Sequence, residues 1–106
     1  MKSISIMLLA AVSTAMLSGQ ALAGDGKALY AEKTCTACHG KDGKTPLMPD
    51  YPKIAGQKES YIVKQMNDIK SGARTNGNSA AMKGVMVLVS DQDIKDIAAY
   101  VSKLKP

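Results

Sequence analysis

Both cysteines and the only histidine of this 106-residue chain lie in one segment, Cys35-Thr36-Ala37-Cys38-His39. Thiols and imidazoles bind metals and take part in redox chemistry, so this cluster is the first candidate for a functional site. A structural zinc site needs four ligands, which only carboxylates could complete here. A thioredoxin-like redox pair is expected after a strand in a βαβ unit, and the surrounding pattern is helical. A structural disulfide would leave the adjacent histidine unexplained.

The spacing C-x-x-C-H is typical of covalent haem attachment. Two thiols three residues apart on a helical turn face one edge of a porphyrin and can add to its two vinyl groups. The next residue, His39, is then held under the iron, where its imidazole becomes an axial ligand. The sequence therefore predicts one haem c, bound through Cys35 and Cys38, with His39 as an iron ligand.

A second axial ligand must be of another residue type, because the chain has no second histidine. Methionine is the natural candidate, since His/Met ligation raises the reduction potential and suits electron transfer. Four methionines follow the haem motif, namely Met48, Met66, Met82 and Met86. Position alone favours Met82, which follows a polar loop and precedes the last predicted helix. Met86 is the main alternative, whereas Met66 fits a helical core and Met48 follows His39 too closely.

Residues 1–23 have the pattern of a secretory signal peptide, with Lys2, an apolar run from Ile4 to Leu17, and the cleavage site Ala21-Leu22-Ala23. The apolar run is shorter than the roughly 20 residues that span a bilayer. We therefore expect cleavage, export to the periplasm and no membrane span in residues 24–106. Those residues are expected to form a single domain.

The elements that must position the haem are predicted to be helical, which indicates an all-α fold. The first helix is predicted over residues 26–34 and leads into the cysteine cluster. The second is predicted over residues 58–71, where Ile62, Met66 and Ile69 share one face and Gly72 is placed to end it.

The third helix begins at Ser90, which forms a predicted capping box with Asp93. Residues 44–56 carry three prolines, and residues 73–81 are small and polar, so both segments are predicted to be loops.

The chain has four tyrosines but no tryptophan or phenylalanine. A domain this small with so little aromatic bulk needs a cross-link or cofactor to complete its core, and a haem would serve.

Three segments together resemble a class I c-type cytochrome of the small bacterial monohaem kind, which is similar to one half of the periplasmic dihaem cytochromes. They are "CTACHGKDG", "YPKIAGQKESYIVKQMNDIKSGAR" and "AAMKGVMVLVSDQDIKDIAAYVSKL". The resemblance covers nearly all of residues 26–104 and implies the cytochrome c fold, with three main helices around a covalently bound haem. It also implies that Met82, in an M-x-G segment before Ser90, is the distal iron ligand.

The same resemblance implies that a proline carbonyl accepts a hydrogen bond from Nδ1 of His39, and Pro49 is expected to supply it. It further implies that Gly26, Tyr30 and Tyr100 form the point where the first and last helices cross.

With both axial positions filled, the iron would have no open site for a substrate. We therefore expect an electron carrier and not an enzyme, with redox proteins of the periplasm or the inner-membrane respiratory chain as its partners. One alternative is a cytochrome subunit of a larger dehydrogenase or oxidase complex. Another is a sensor or gas binder, if Met82 binds weakly.

The formal net charge is +5. Basic residues near the haem segments are either ordinary surface charges or a ring that steers acidic redox partners. Nucleic acid is a poor alternative for an exported protein without a basic stripe.

Overall fold

The computed structural model of the chain describes residues 25–106, and the predicted signal peptide lies outside these residues. Within them the helices are α1 (Gly26–Glu32), α2 (Cys35–His39), α3 (Glu59–Ser71), α4 (Ser79–Met86) and α5 (Asp91–Ser102). The described part of the chain contains no strand, so the all-α prediction is confirmed. No helix in residues 25–106 has the length and apolar character needed to cross a membrane.

The first predicted helix ends earlier than expected. Helix α1 stops at Glu32, and α2 begins at Cys35 after a sharp change in backbone direction at Thr34. Thr34 has a φ of 64°, which is a left-handed conformation that a threonine rarely adopts. The haem motif therefore occupies a short helix of its own, bounded at its other end by Gly40 with a φ of 86°.

Helices α3 and α5 agree with the predictions. Gly72 ends α3 in the left-handed conformation, with a φ of 90°. At the start of α5, the Asp93 amide donates to Ser90 Oγ at 3.1 Å, and the Ser90 amide donates to the Asp93 carboxylate at 3.1 Å. These reciprocal bonds form the predicted capping box.

Helix α4 was not predicted, because residues 73–81 read as a polar loop. Asn78 is of a residue type that is favoured at the N-cap, but its side chain makes no capping bond, so the start of the helix lacks this local stabilisation. Two of its residues, Ser79 and Met86, are buried, and the helix packs against α3. Tertiary packing therefore forms this helix where local sequence gives little indication of it.

The core lies where α1 and α3 pack against α5. At Gly26, a Cβ atom would lie 2.1 Å from the Asp96 carbonyl oxygen and 2.6 Å from Tyr100 Cβ, so only glycine allows α1 and α5 to approach this closely. The rings of Tyr30 and Tyr100 lie 5.7 Å apart at an interplanar angle of 52°. The predicted helix crossing is confirmed. The buried apolar residues are Tyr30, Ile62, Met66, Ile69, Met86, Val89, Ile94, Ile97, Ala98 and Val101.

Candidate haem-binding site

A single cavity brings together Cys35, His39 and Met82, which come from α2 and α4. Most of the remaining wall is apolar and is supplied by α1, α3, α5 and the loop before α3. These apolar residues are Tyr30, Ile54, Ile62, Met66, Ile69, Ile97 and Val101. An apolar cavity with metal-binding side chains from two different elements would fit a flat, mostly apolar ring that carries a metal ion.

The two cysteines are unpaired thiols, both half-buried in α2. Burial raises the pKa of the Cys35 thiol to about 11. Thioredoxin-like redox motifs work the other way, because they lower a thiol pKa to favour the thiolate. Burial of Cys35 therefore disfavours the thiolate that a thiol–disulfide exchange site needs.

His39 is buried, with 7% of its surface exposed. Its Nδ1 lies 2.9 Å from the carbonyl oxygen of Pro52. A carbonyl oxygen can only accept, so Nδ1 carries the proton and donates to it. The lone pair is then on Nε2, which is the tautomer that a histidine needs to bind iron through that atom.

The carbonyl facing His39 belongs to Pro52, so the expectation that Pro49 supplies it is wrong. Pro49 is exposed and lies inside a turn that is closed by the Tyr51 amide donating to the Met48 carbonyl at 3.0 Å. This turn carries Pro49 away from the histidine ring. The proline-rich loop therefore presents its third proline, and not its second, to His39.

Pro52 is held in place by the backbone that follows it. The amides of Ile54 and Ala55 donate to the Gly43 carbonyl at 2.7 and 3.0 Å. The loop is thereby fastened to the residues directly after the haem motif. A further bond at 3.0 Å, from the Leu47 amide to the Cys38 carbonyl, closes the other side of the same loop.

The Asp42 carboxylate organises the turn after α2. It accepts hydrogen bonds from the Lys44 amide and from both the amide and the hydroxyl of Thr45, each at 3.0 Å. These bonds, led by that from the Lys44 amide, hold the pKa of Asp42 below its ordinary value. The segment after the haem motif is therefore fixed by its own short-range contacts.

Tyr30 connects α1 to the end of α2. Its hydroxyl donates to the Gly40 carbonyl at 2.7 Å, next to His39. Burial raises the pKa of Tyr30 well above its usual range, so the side chain stays a neutral donor. The tyrosine contributes to the cavity wall and at the same time orients the histidine-bearing segment.

The four candidate methionines occupy different environments. Met82 is half-buried on α4 and lines the same cavity as His39. Met86, with 1% exposure, packs in the protein core, and Met48 is 47% exposed in the proline-rich loop. Met66 also borders the cavity, but it lies within the buried apolar face of α3. Of the two candidate methionines that border the cavity, only Met82 lies on a helix other than α3.

The cavity also has a polar edge, formed by Lys53, Gln57, Tyr61, Gln65 and Arg74. Lys53 and Arg74 belong to the basic residues expected near the haem segments, whereas the three neutral residues were not predicted. Arg74 donates to Gln65 Oε1 at 3.1 Å and to Asn76 Oδ1 at 3.0 Å. Helical spacing could have indicated Tyr61 and Gln65, which are four residues apart beside the apolar face of α3. These donors and cations suit the carboxylate groups that a haem carries on one edge.

Comparison with known proteins agrees with this site. Residues 23–105 match the family described as cytochrome c. The chain belongs to the cytochrome c family. It is 46% identical over 100 residues to a cytochrome c4 of Pseudomonas aeruginosa, covering 94% of this chain and 46% of the relative. It is 42% identical over 85 residues to cytochrome c-554(548) of Halomonas halodenitrificans, covering 80% of this chain and 96% of the relative.

A solved structure, the reduced recombinant cytochrome c4 of Pseudomonas stutzeri, has a similar fold. The TM-score is 0.65 at 33% identity, and the match covers 81% of this chain and 50% of that one. The chain thus spans about half the length of the cytochromes c4 that it matches. Family membership confirms the predicted cytochrome c fold and covalently bound haem c. The protein is a c-type cytochrome.

Proposed function

We propose that this cytochrome is a periplasmic one-electron carrier whose haem is attached to Cys35 and Cys38 and whose iron is bound by His39 and Met82. The observation that carries this proposal is the cavity in which Cys35, His39 and Met82 meet. The hydrogen bond from His39 Nδ1 to Pro52 supports it, because it leaves Nε2 free for the iron. When bound, the haem supplies a couple between Fe(II) and Fe(III).

Two protein ligands explain why the site carries electrons and does not transform a substrate. With His39 and Met82 both bound to it, the iron would have no open position for a small molecule. A thioether ligand would also favour the reduced state and raise the reduction potential. Both side chains would hold the iron in either oxidation state, so the chain would not have to exchange a ligand when an electron enters or leaves.

The export part of the proposal rests on residues 1–23. Their charge and hydropathy pattern supports cleavage after Ala23 and a mature domain of residues 24–106. The N-terminal residue of the purified protein provides the check, because cleavage predicts Gly24 as the first residue.

Acidic redox proteins are the partners that the charge balance favours, given the formal net charge of +5. Two of the basic residues already form ion pairs within the chain, since Lys33 pairs with Asp93 at 3.9 Å and Lys64 pairs with Asp68 at 3.0 Å. Lys53, at the cavity edge, is the better candidate for steering a partner towards the haem. Exchange rates that fall as ionic strength rises would support this steering.

A second candidate function is the cytochrome of a larger dehydrogenase system. One relative, from Stutzerimonas stutzeri, is described as a thiosulfate dehydrogenase electron acceptor and is 36% identical over 103 residues. That likeness favours a dehydrogenase as the electron donor for this chain. Co-purification with a larger flavin or metal enzyme would distinguish a complex subunit from a free carrier.

Spectroscopy of the purified protein tests the ligand set. The ferric form is expected to show the weak sulfur-to-iron charge-transfer absorption of a His/Met iron, and the ferrous form is expected not to bind carbon monoxide at neutral pH. Reversible one-electron reduction should follow a single Nernst transition. Rapid carbon monoxide binding would contradict a carrier with both axial positions filled and would favour a gas-binding sensor.

A further inference from the structure

Lys70, in the last turn of α3, and Arg74, three residues beyond that helix, contact the chain on either side of α4, the helix that carries Met82. Lys70 Nζ donates a hydrogen bond to the Val89 carbonyl, just after α4. Arg74 Nε donates to Asn76 Oδ1 at 3.0 Å, just before α4. The ligand-bearing helix is therefore fastened to α3 at both of its ends.

The bond made by Lys70 lies partly away from water. Val89 is 1% exposed, and Lys70 is half-buried. Within residues 25–106 the ion pairs involve other lysines, so the contact of Lys70 is with this carbonyl. A hydrogen bond from a charged donor is stronger than a neutral one and gains further where the surroundings are less polar.

Arg74 is itself held firmly by α3. Its amide donates to the Asp68 carbonyl at 2.9 Å, and its Nη1 donates to Gln65 Oε1 at 3.1 Å. Because Arg74 also lines the cavity, replacing it would disturb the haem site directly. Lys70 is absent from the cavity wall, so it gives the cleaner test of an effect exerted through the backbone.

Helix α4 depends on such contacts. It has 8 residues and no side-chain cap at its N-terminus. Isolated helices of this length are marginal in water, so its position has to come from its neighbours. Of the anchors at its two ends, the Lys70 bond holds the chain between α4 and α5.

We propose that Lys70 is a positioning residue that keeps Met82 at the iron by holding the Val89 backbone against α3. The inference rests on the proposed function, because it takes Met82 as the distal ligand. Lys70 shifts the equilibrium between two positions of α4, one packed against α3 and one displaced from it, towards the packed position. Its loss raises the fraction of molecules in which the methionine has left the iron.

An added ligand measures that fraction. Imidazole binds ferric iron only when Met82 has left, so its apparent dissociation constant equals the intrinsic constant divided by the fraction of open molecules. Removing one partly buried, charge-assisted hydrogen bond should raise that fraction roughly tenfold. Imidazole should therefore bind the altered protein roughly tenfold more tightly.

The experiment titrates imidazole into the ferric, haem-loaded protein and its variants, with absorbance as the readout. Lys70→Met keeps the apolar stem and removes the donor, so we expect the roughly tenfold tightening. Lys70→Arg restores a cationic donor and should bind imidazole nearly as weakly as the unaltered protein. Lys64→Met is the matched control, because Lys64 lies on the same helix but is exposed and pairs with Asp68.

If Lys70→Met does not accumulate with haem, Lys70→Gln serves as the second variant, because its shorter amide cannot reach the carbonyl in the same way. Equal imidazole affinity in the unaltered protein and in the Lys70 variant overturns the inference, even if the variant unfolds more easily. The sulfur-to-iron absorption of the unaltered protein separates the two proposals. If this absorption is present and the imidazole affinities are equal, only the role of Lys70 is rejected. If this absorption is absent, Met82 is not the ligand, and the inference about Lys70 fails with it.

Discussion

The two sides of the haem site are built differently. The proximal segment, residues 34–55, contains both thiols, the histidine and the carbonyl that orients it, and the hydrogen bonds that hold these groups join residues of this one segment. The distal segment, residues 72–90, contains Met82 on a short helix held by α3. The first side is specified by a local motif. The second depends on how separate helices pack.

Removing the covalent attachment should have the largest effect, because it acts on the proximal segment and on the core together. In the double variant Cys35→Ala with Cys38→Ala, we expect no cooperative unfolding transition, since the chain is too small and too poor in aromatic residues to form a core without haem. Circular dichroism during denaturant titration is the measurement, with the haem-loaded protein as the control. A cooperative transition in the haem-free variant would contradict a core built around the cofactor.

Replacing Met82, the proposed distal ligand, tests the other side of the comparison. Met82→Ala should abolish the sulfur-to-iron absorption of the ferric protein, lower the reduction potential and allow carbon monoxide to bind the ferrous form. Visible spectra and a redox titration measure these changes.

Met86→Leu is the matched control for Met82→Ala, because it replaces a core methionine four residues away by a side chain of similar volume. It should cost less than about 1.5 kcal/mol of stability and leave the spectrum intact. If Met86→Leu abolished the absorption and Met82→Ala kept it, the ligand would be Met86.

A smaller effect is expected from Tyr30→Phe on the proximal side. This change removes the hydrogen bond to the Gly40 carbonyl but keeps the buried ring, so the free energy of unfolding should fall by about 1 kcal/mol. Denaturant titration measures the loss. The spectrum and the imidazole affinity should stay unchanged, because the proposed thioether bonds at Cys35 and Cys38 would keep the neighbouring His39 in place. Altered iron ligation in this variant would show that the proximal segment depends on packing as much as the distal one does.

The smallest effect is expected from Asp42→Asn. The hydrogen bonds to Asp42 lower its pKa in the folded state, so its stabilising contribution is present above the unfolded pKa of about 3.9 and is lost as the pH falls through the folded value. The variant should be slightly less stable than the unaltered protein at neutral pH, and the difference should shrink in acid. Denaturant titrations of both proteins at neutral pH and in acid test this expectation. A difference that grew in acid would contradict the sign of the shift.

The same contrast explains what could be predicted from the sequence. Cys35, Cys38 and His39 are adjacent and chemically specific, so their motif alone predicted haem. The capping box at Ser90 and the glycine at the end of α3 are equally local signals, and both helix boundaries were predicted well. For Met82, residue spacing left Met86 open, and resemblance to a family favoured one over the other.

The missed features depend on tertiary structure. Helix α4 lacks a side-chain capping bond and forms against α3. Pro52 takes the place expected for Pro49 because backbone bonds to Gly43 set the path of the loop. The roles of Lys70 and Arg74 are likewise invisible in a linear pattern. Each depends on a carbonyl or amide acceptor that only folding brings near.

The central claim is that one haem is covalently linked to this chain through Cys35 and Cys38. The most direct test is the intact mass of the exported protein, measured under denaturing conditions that remove any haem held only by iron ligands. The expected mass is that of residues 24–106 plus one haem. A mass equal to that of the bare polypeptide would contradict it.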